Sequence, residues 1–205
     1  MFITLDGGDG CGKSTQIQRL AEKLQSQGYE VVCCRDPGST PLGDALRDIL
    51  LNRHELHIAD ITEVFLFTAA RAQLVREVIR PALESRKIVL SDRFLISTFV
   101  YQCHAGGVPK EVLESISAAA VGETLPDVGI VLDIPCEVAA GRMGHRAAPD
   151  RMERKGEEYH RLVREGFLKY AAAEPERYVV VDATPSPNEV AAAVWDIVSA
   201  GKYIP

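Results

Sequence analysis

Apolar residues follow two alternating rhythms along this chain. Nearly continuous apolar runs at residues 2–5, 29–34, 88–90, 128–133 and 178–181 are separated by longer stretches in which apolar positions recur at helical spacing. Continuous runs mark strands covered on both faces, and the helical spacing marks a helix with one buried stripe. Ile17, Leu20, Ala21 and Leu24 form the first stripe, in a helix that starts near Lys13 and stops before Gly28, a residue suited to a C-terminal cap. Further helices are predicted near 42–51, 59–84, 95–103, 110–121, 135–142 and 156–173, the longest closing near Pro81 and the polar stretch 85–87. The last helix carries a capping box, Ser186 with Glu189, and Pro187 at its first position; Val190, Ala193, Val194 and Ile197 share its apolar face.

Strands alternating with helices predict an α/β fold: a parallel five-stranded sheet with helices on both faces. In such sheets ligands bind beyond the carboxyl ends of the strands. Those ends carry Asp6-Gly7, Arg35-Asp36, Ser91-Asp92-Arg93, Asp133 and Asp182, so charge collects along one edge. With no repeat, low-complexity segment or linker, residues 1–205 are expected to be a single domain, and the Gly/Arg/Pro-rich stretch 141–154 a lid within it.

Composition narrows the partners. The chain has 205 residues, 46% hydrophobic and 25% charged, which is enough to bury a core, and a net charge of -6 with pI near 5.4. That balance argues against a broad nucleic-acid or membrane surface, which needs clustered cations. An anionic ligand must therefore be met locally. No apolar run approaches the roughly 18 residues of a membrane span, and the N-terminus enters a strand directly, so a cytoplasmic protein is expected. Cys11, Cys33, Cys34, Cys103 and Cys136 show no metal or redox spacing and are read as reduced thiols. Cys11, inside the loop described next, is the candidate for an activated thiol.

Residues 7–14 read Gly-Gly-Asp-Gly-Cys-Gly-Lys-Ser, the G-x-x-x-x-G-K-S pattern, between the first strand and the first helix. Glycines such as Gly7, Gly10 and Gly12 let successive N–H groups turn inward onto phosphate oxygens, and the helix adds the positive end of its dipole. Lys13 is placed to reach the β- and γ-phosphates and Ser14, followed by Thr15, to put its hydroxyl on a magnesium ion. Asp92 follows the third strand, where P-loop enzymes place a carboxylate near that ion, directly or through water; Arg93 can meet the accepting phosphate. Arg142, Arg146, Arg151 and Arg154 crowd the lid of an acidic chain, a cluster that repels itself unless an anion fills it. Closing such a lid would also exclude water. Spacing does not say which of the four acts. Phe67 and Arg71, four residues apart on one helical face, can stack on a flat base and bond to its edge. His104 stands isolated and is expected at the surface.

Five motifs occur in order over nearly the whole chain: Asp9-Gly10-Cys11-Gly12-Lys13-Ser14-Thr15, Arg35-Asp36-Pro37-Gly38, Phe67-Thr68-Ala69-Ala70-Arg71, Asp92-Arg93 with Ser97 and Tyr101-Gln102, and Asp150-Arg151. Together they resemble the thymidylate kinases, P-loop proteins of the nucleoside-monophosphate-kinase fold. The resemblance implies a homodimer that uses ATP and Mg²⁺ to convert dTMP to dTDP for dTTP synthesis. By the same similarity Asp9 would take the sugar 3′-hydroxyl, Phe67 would stack on thymine, and Arg71 would meet the base edge. Ser97 and Gln102 would complete base recognition, Tyr101 would crowd a 2′-hydroxyl, and Arg35 and Arg93 would hold the monophosphate. No arginine lies between Asp9 and Lys13, so the chain is similar to the bacterial type, in which the lid donates the catalytic cation; Arg146 and Arg151 are its candidates. Arg142 and the turn Asp182-Ala183-Thr184 are the expected neighbours of adenine. Three positions depart from the usual pattern: Ser39 stands for a glycine, Asp36 for a glutamate, and Cys103-His104 for a glycine after Gln102.

An acceptor of this kind fits the chemistry. The second pKa of a phosphate monoester is near 6, so its oxygens are anionic at neutral pH and no general base is required. Rival classes lack their marks: there is no N/T-K-x-D segment for reading guanine, and the charge disfavours a nucleic-acid-driven ATPase. A kinase for a different deoxynucleotide, or for a nucleoside, is the remaining alternative.

Overall fold

The apolar runs pair side by side and in parallel. The computed structural model describes residues 1–143 and 150–200. In it the strands are β1 (Phe2–Asp6), β2 (Val31–Arg35), β3 (Ile88–Asp92), β4 (Val128–Asp133) and β5 (Tyr178–Asp182), ordered β2-β3-β1-β4-β5. Every neighbouring pair is parallel. The register sets Leu5 beside Asp92, Arg35 beside Asp92, and Asp133 beside Asp182, so the charged strand ends do meet along one edge. Because the chain fills one side of β1 with β3 and the other with β4, the end of β1 is the switch point at which such sheets open a crevice.

Side chains alternate across the sheet. Ile3, Leu5, Leu90, Ile130 and Leu132 face α1 (Lys13–Ser26) and α9 (Pro187–Ser199), meeting Ile17, Leu20, Leu24, Val190, Val194 and Val198. On the opposite face Phe2 and Val89 meet Leu74, Val75, Ile79 and Phe94, while Val131 meets Val163 and Phe167 of α8 (Glu157–Ala173). The last helix begins at the expected capping box: Glu189 N–H donates to the Ser186 hydroxyl and Ser186 N–H to the Glu189 carboxylate.

The remaining helices are α2 (Pro41–Leu51), α3 (Asp60–Leu74), α4 (Arg80–Glu84), α5 (Leu95–Thr98), α6 (Lys110–Val121) and α7 (Cys136–Met143). Two of the predicted helices are continuous but not regular. Between α3 and α4 the backbone widens into a π-turn at Val75–Ile79, and after α5 into another at Phe99–His104. The first immediately precedes Pro81, whose ring would collide with a carbonyl of a regular helix and which has no N–H to donate, so the wider turn absorbs it and the helix runs on to Glu84. β2 starts two residues later than the apolar run suggests, at Val31. His104 also differs from expectation: half-buried, it stands edge-on to Tyr170 with ring centroids 6.5 Å apart and packs against Gly166 of α8.

Gly129 in β4 is dictated by space, because a Cβ there would lie 2.3 Å from the Tyr178 ring. Gly129→Ala is therefore expected to cost about 1–3 kcal/mol by overpacking. Thermal denaturation would show a fall of several degrees, and an unchanged midpoint would mean that Tyr178 moves freely.

Candidate active site

The loop from β1 into α1 is built by glycine. At Gly7 (φ 133°) a Cβ would sit 2.4 Å from the Leu132 carbonyl oxygen, and Gly12 (φ 98°) caps α1 in the left-handed region. Lys13 folds back across the loop, its Nζ donating to the carbonyls of Gly8 at 2.9 Å and Gly7 at 3.3 Å. Ser14 Oγ donates to Asp92 Oδ2 at 3.0 Å, so the two residues expected at a magnesium ion are adjacent. Gly10, Gly12, Lys13, Ser14 and Thr15 line a polar cleft of about 690 Å³ with Arg35, Arg47, Asp92 and Arg93. Cys11 does not open into that cleft. It is 2% exposed beneath the loop, and burial of this order shields a thiol from reagents, against the expectation of an activated one.

Arg93 sits where this cleft meets a second one. Its backbone takes φ 68°, uncommon for a side-chain-bearing residue, and its N–H donates to Leu5 at 2.9 Å. Its Nη1 donates to the Gly7 carbonyl at 2.7 Å and to Ser97 Oγ at 3.3 Å. Its Nη2 donates to Asp9 Oδ1 at 2.5 Å and to the Tyr101 hydroxyl at 3.1 Å. Burial pushes the Asp9 carboxyl up, but Arg93 and Lys13 outweigh it and hold Asp9 below the usual carboxylate range. Burial raises Asp6, whose Oδ1 accepts from Ser97 Oγ at 2.7 Å, and pushes the Tyr101 phenol well up.

The second cleft, about 540 Å³, is walled by Phe67, Tyr101, Leu51 and Met152 and edged by Asp9, Asp36, Arg47, Arg71, Arg93, Ser97 and Gln102. Phe67 and Arg71 enter it from one face of α3, as predicted. Arg71 is 2% exposed, which its partners make tolerable: Nε donates to Asp36 Oδ2 at 2.5 Å and Nη2 to Thr98 Oγ1 at 2.6 Å. Its Nη1 is buried without a hydrogen-bond partner among the described residues. A buried unmatched donor is costly, and an acceptor on a ligand would relieve it. Gln102 also faces this cleft and is tied to Glu63.

The other expected residues lie nearby in different circumstances. Arg35 stands at the rim of the phosphate cleft, half-exposed and paired with Asp44 at 3.0 Å. Arg142 donates to the carbonyls of Ala183 and Thr184 at 3.0 and 3.1 Å, so the two features expected near adenine are in contact. Arg151 is docked beside α2 and α3: Nε donates to Leu50 at 2.8 Å and the guanidinium pairs with Glu63. It lines neither cleft. Arg146 lies outside the described residues.

Two residues at the site were missed by sequence reasoning. Arg47 lines both clefts, donates to the Pro37 carbonyl at 3.0 Å, and has no carboxylate within ion-pair distance among the described residues. Burial and the neighbouring cations Arg35 and Arg93 hold its pKa below the ordinary value. Nothing in its helical spacing singles it out. Glu63 did carry a signal, since it stands one turn before Phe67 and two before Arg71 on the same stripe.

A backbone cradle for a polyphosphate, joined through one arginine to an apolar-walled cleft with buried cations, defines a P-loop nucleotide-binding kinase. The family model described as "Thymidylate kinase" matches residues 5–194, and the chain belongs to that family. A thymidylate kinase of Symbiobacterium thermophilum is 49% identical over 93% of this chain and 88% of its own. One from Deinococcus radiodurans is 42% identical over 97% and 96%. Among solved structures, thymidylate kinase from Ehrlichia chaffeensis superposes with a TM-score of 0.78 at 29% identity, covering 97% of this chain and 98% of that one.

The ion pair of Asp9 gives a pH test. Its depressed pKa means that stability from this carboxylate is present above the unfolded value near 3.9 and is lost as pH falls through the lower folded one. Comparison of the native chain with Asp9→Asn by denaturant unfolding is expected to show a difference that is full above about pH 5 and closes on further acidification. A difference independent of pH would contradict the pairing.

Proposed function

We propose that this chain transfers the γ-phosphate of ATP to dTMP, forming dTDP and ADP. The observation that carries this reading is the position of Arg93, whose guanidinium faces both clefts and binds the phosphate loop at Gly7. In this reading ATP lays its phosphates along Gly7, Gly10, Gly12, Lys13, Ser14 and Thr15, and dTMP fills the second cleft with its phosphate toward Arg93, Arg35 and Arg47. Phe67 stacks on the base, Arg71 Nη1 donates to its edge, Asp9 takes the 3′-hydroxyl, and Tyr101 closes the space a 2′-hydroxyl would need.

An oxygen of the dTMP phosphate attacks the γ-phosphorus, and the bond to the β–γ bridging oxygen breaks, leaving ADP with the electron pair. The attacking oxygen is already anionic, so the residues supply alignment and charge rather than a base. Ser14 and Asp92 offer the hard oxygen donors that Mg²⁺ prefers, and when bound the ion neutralises β- and γ-phosphate charge. Arg146, outside the described residues, remains the candidate for a lid cation that caps the transferred group. We also take residues 1–205 as one kinase domain, in a reducing cytoplasm that suits five unpaired cysteines. Its partner is a second copy of itself: Leu56, Ile61 and Phe65 expose an apolar surface on and beside α3 that a copy could cover.

Coupled ADP release with dTMP, dUMP, dCMP, dGMP and thymidine tests the acceptor. Fastest turnover with dTMP and none with thymidine is expected; stimulation by thymidine alone would make the acceptor a hydroxyl and refute the reading. Arg93→Ala is expected to leave ATP binding within a few-fold while turnover falls by about 10³ or more. Retained turnover would remove Arg93 from its role.

A further inference from the structure

Glu63 is a carboxylate, 5% exposed, in the first turn of α3, and it has no part in the transfer just described. Its Oε2 is paired with the Arg151 guanidinium, and its Oε1 accepts from Gln102 Nε2 at 2.8 Å. Arg151 is itself fixed at both ends of its side chain. Its backbone N–H donates to Leu51 at 3.1 Å and its Nε to Leu50 at 2.8 Å.

A guanidinium has only donors to offer, and a carboxylate paired with it has only acceptors left. Gln102 can therefore meet Glu63 only through its NH₂ group. The two ends of an amide are opposite, so this contact aims the Gln102 carbonyl oxygen the other way. Gln102 is 4% exposed and lines the acceptor cleft, and its Oε1 receives no hydrogen bond from the described residues. The cleft is thus offered an acceptor whose orientation is decided two residues away.

We infer that Glu63, held by Arg151, is a positioning residue that selects the base: by fixing the amide of Gln102 it makes the site demand an N–H donor on the pyrimidine edge. Thymine and uracil carry that donor at N3. Cytosine carries a lone pair there, which would face the Gln102 oxygen and be repelled. Reversal of the amide would suit cytosine, but it would turn a carbonyl oxygen onto the Glu63 carboxylate. Discrimination at N3 thus resides in a chain of three side chains, of which only Gln102 touches the ligand, and it adds to the contact that Arg71 makes with the base edge. The inference rests on dTMP as acceptor and adds the reason that the pyrimidine is a thymine and not a cytosine.

Replacement of the carboxylate by an amide tests it. Glu63→Gln can present either end to Gln102, so the amide of Gln102 is free to reverse. Steady-state kinetics with dTMP, dUMP and dCMP is expected to show kcat/KM for dTMP and dUMP falling together, mainly through KM. The ratio of dTMP to dCMP should drop by about 10-fold, the scale of one misplaced buried hydrogen bond. KM for ATP should not move. Arg151→Met, which releases Glu63 without touching Gln102, should shift the ratio in the same direction and serves if Glu63→Gln does not fold. A purely structural role for Glu63 would lower activity toward all three acceptors alike, and a ratio unchanged within two-fold in both variants would overturn the inference. Native enzyme that failed to use dTMP would instead refute the proposed function, so the two failures are told apart by the wild-type rates.

Discussion

One guanidinium holds the two halves of the site together. Arg93 binds the Gly7 carbonyl of the phosphate loop, the Asp9 carboxylate, the Ser97 hydroxyl and the Tyr101 hydroxyl, residues from two separate segments of the chain. For its side chain to lie there, the backbone must leave β3 in the left-handed region, and the parallel register of β3 with β1 supplies the hydrogen bond to Leu5 that keeps it so. Sheet order, loop geometry and acceptor cleft all converge on that residue. A cation in this place both offsets the neighbouring Asp6 and Asp9 carboxylates and leaves positive charge where two phosphates would meet.

Around it the walls of the acceptor cleft are charged yet buried, an arrangement that is stable only when each charge has a partner. Arg71 is matched by Asp36 and Thr98, and Glu63 by Arg151 and Gln102. These partners come from the loop after β2, from α5 and its π-turn, and from the segment before α8. Each pair therefore fastens distant pieces of chain to one cleft, so that its hydrogen-bonding groups are oriented before any ligand arrives. The same pairs leave Arg71 Nη1 buried without a partner among the described residues and turn Gln102 toward the acceptor cleft, where a ligand would meet both.

Local features of this chain were legible in its residues, and long-range ones were not. The five strands, the phosphate loop and the capping box at Ser186 are written in contiguous residues and appear where expected, apart from the later start of β2. Phe67 and Arg71 could be paired because helical spacing alone brings them to one face. Arg47 could not be assigned, and Glu63, though legible on the stripe of Phe67 and Arg71, could not be given a role, since what gives them meaning is Pro37 in one case and Gln102 and Arg151 in the other, all remote along the chain or in a different element. The interrupted helices escaped for a related reason, because a π-turn changes which backbone groups pair without breaking the run of helical residues. His104 looked solitary in sequence, yet Tyr170 and Gly166 fold against it.

If the two clefts are one continuous site bridged at Arg93, a single molecule that joins adenosine to thymidine through a polyphosphate chain of suitable length must occupy both. Calorimetric titration of such a compound should give binding at least about 100-fold tighter than either ATP or dTMP alone, as expected when two linked ligands fit their sites together. Affinity no better than that of the stronger half would contradict a shared site.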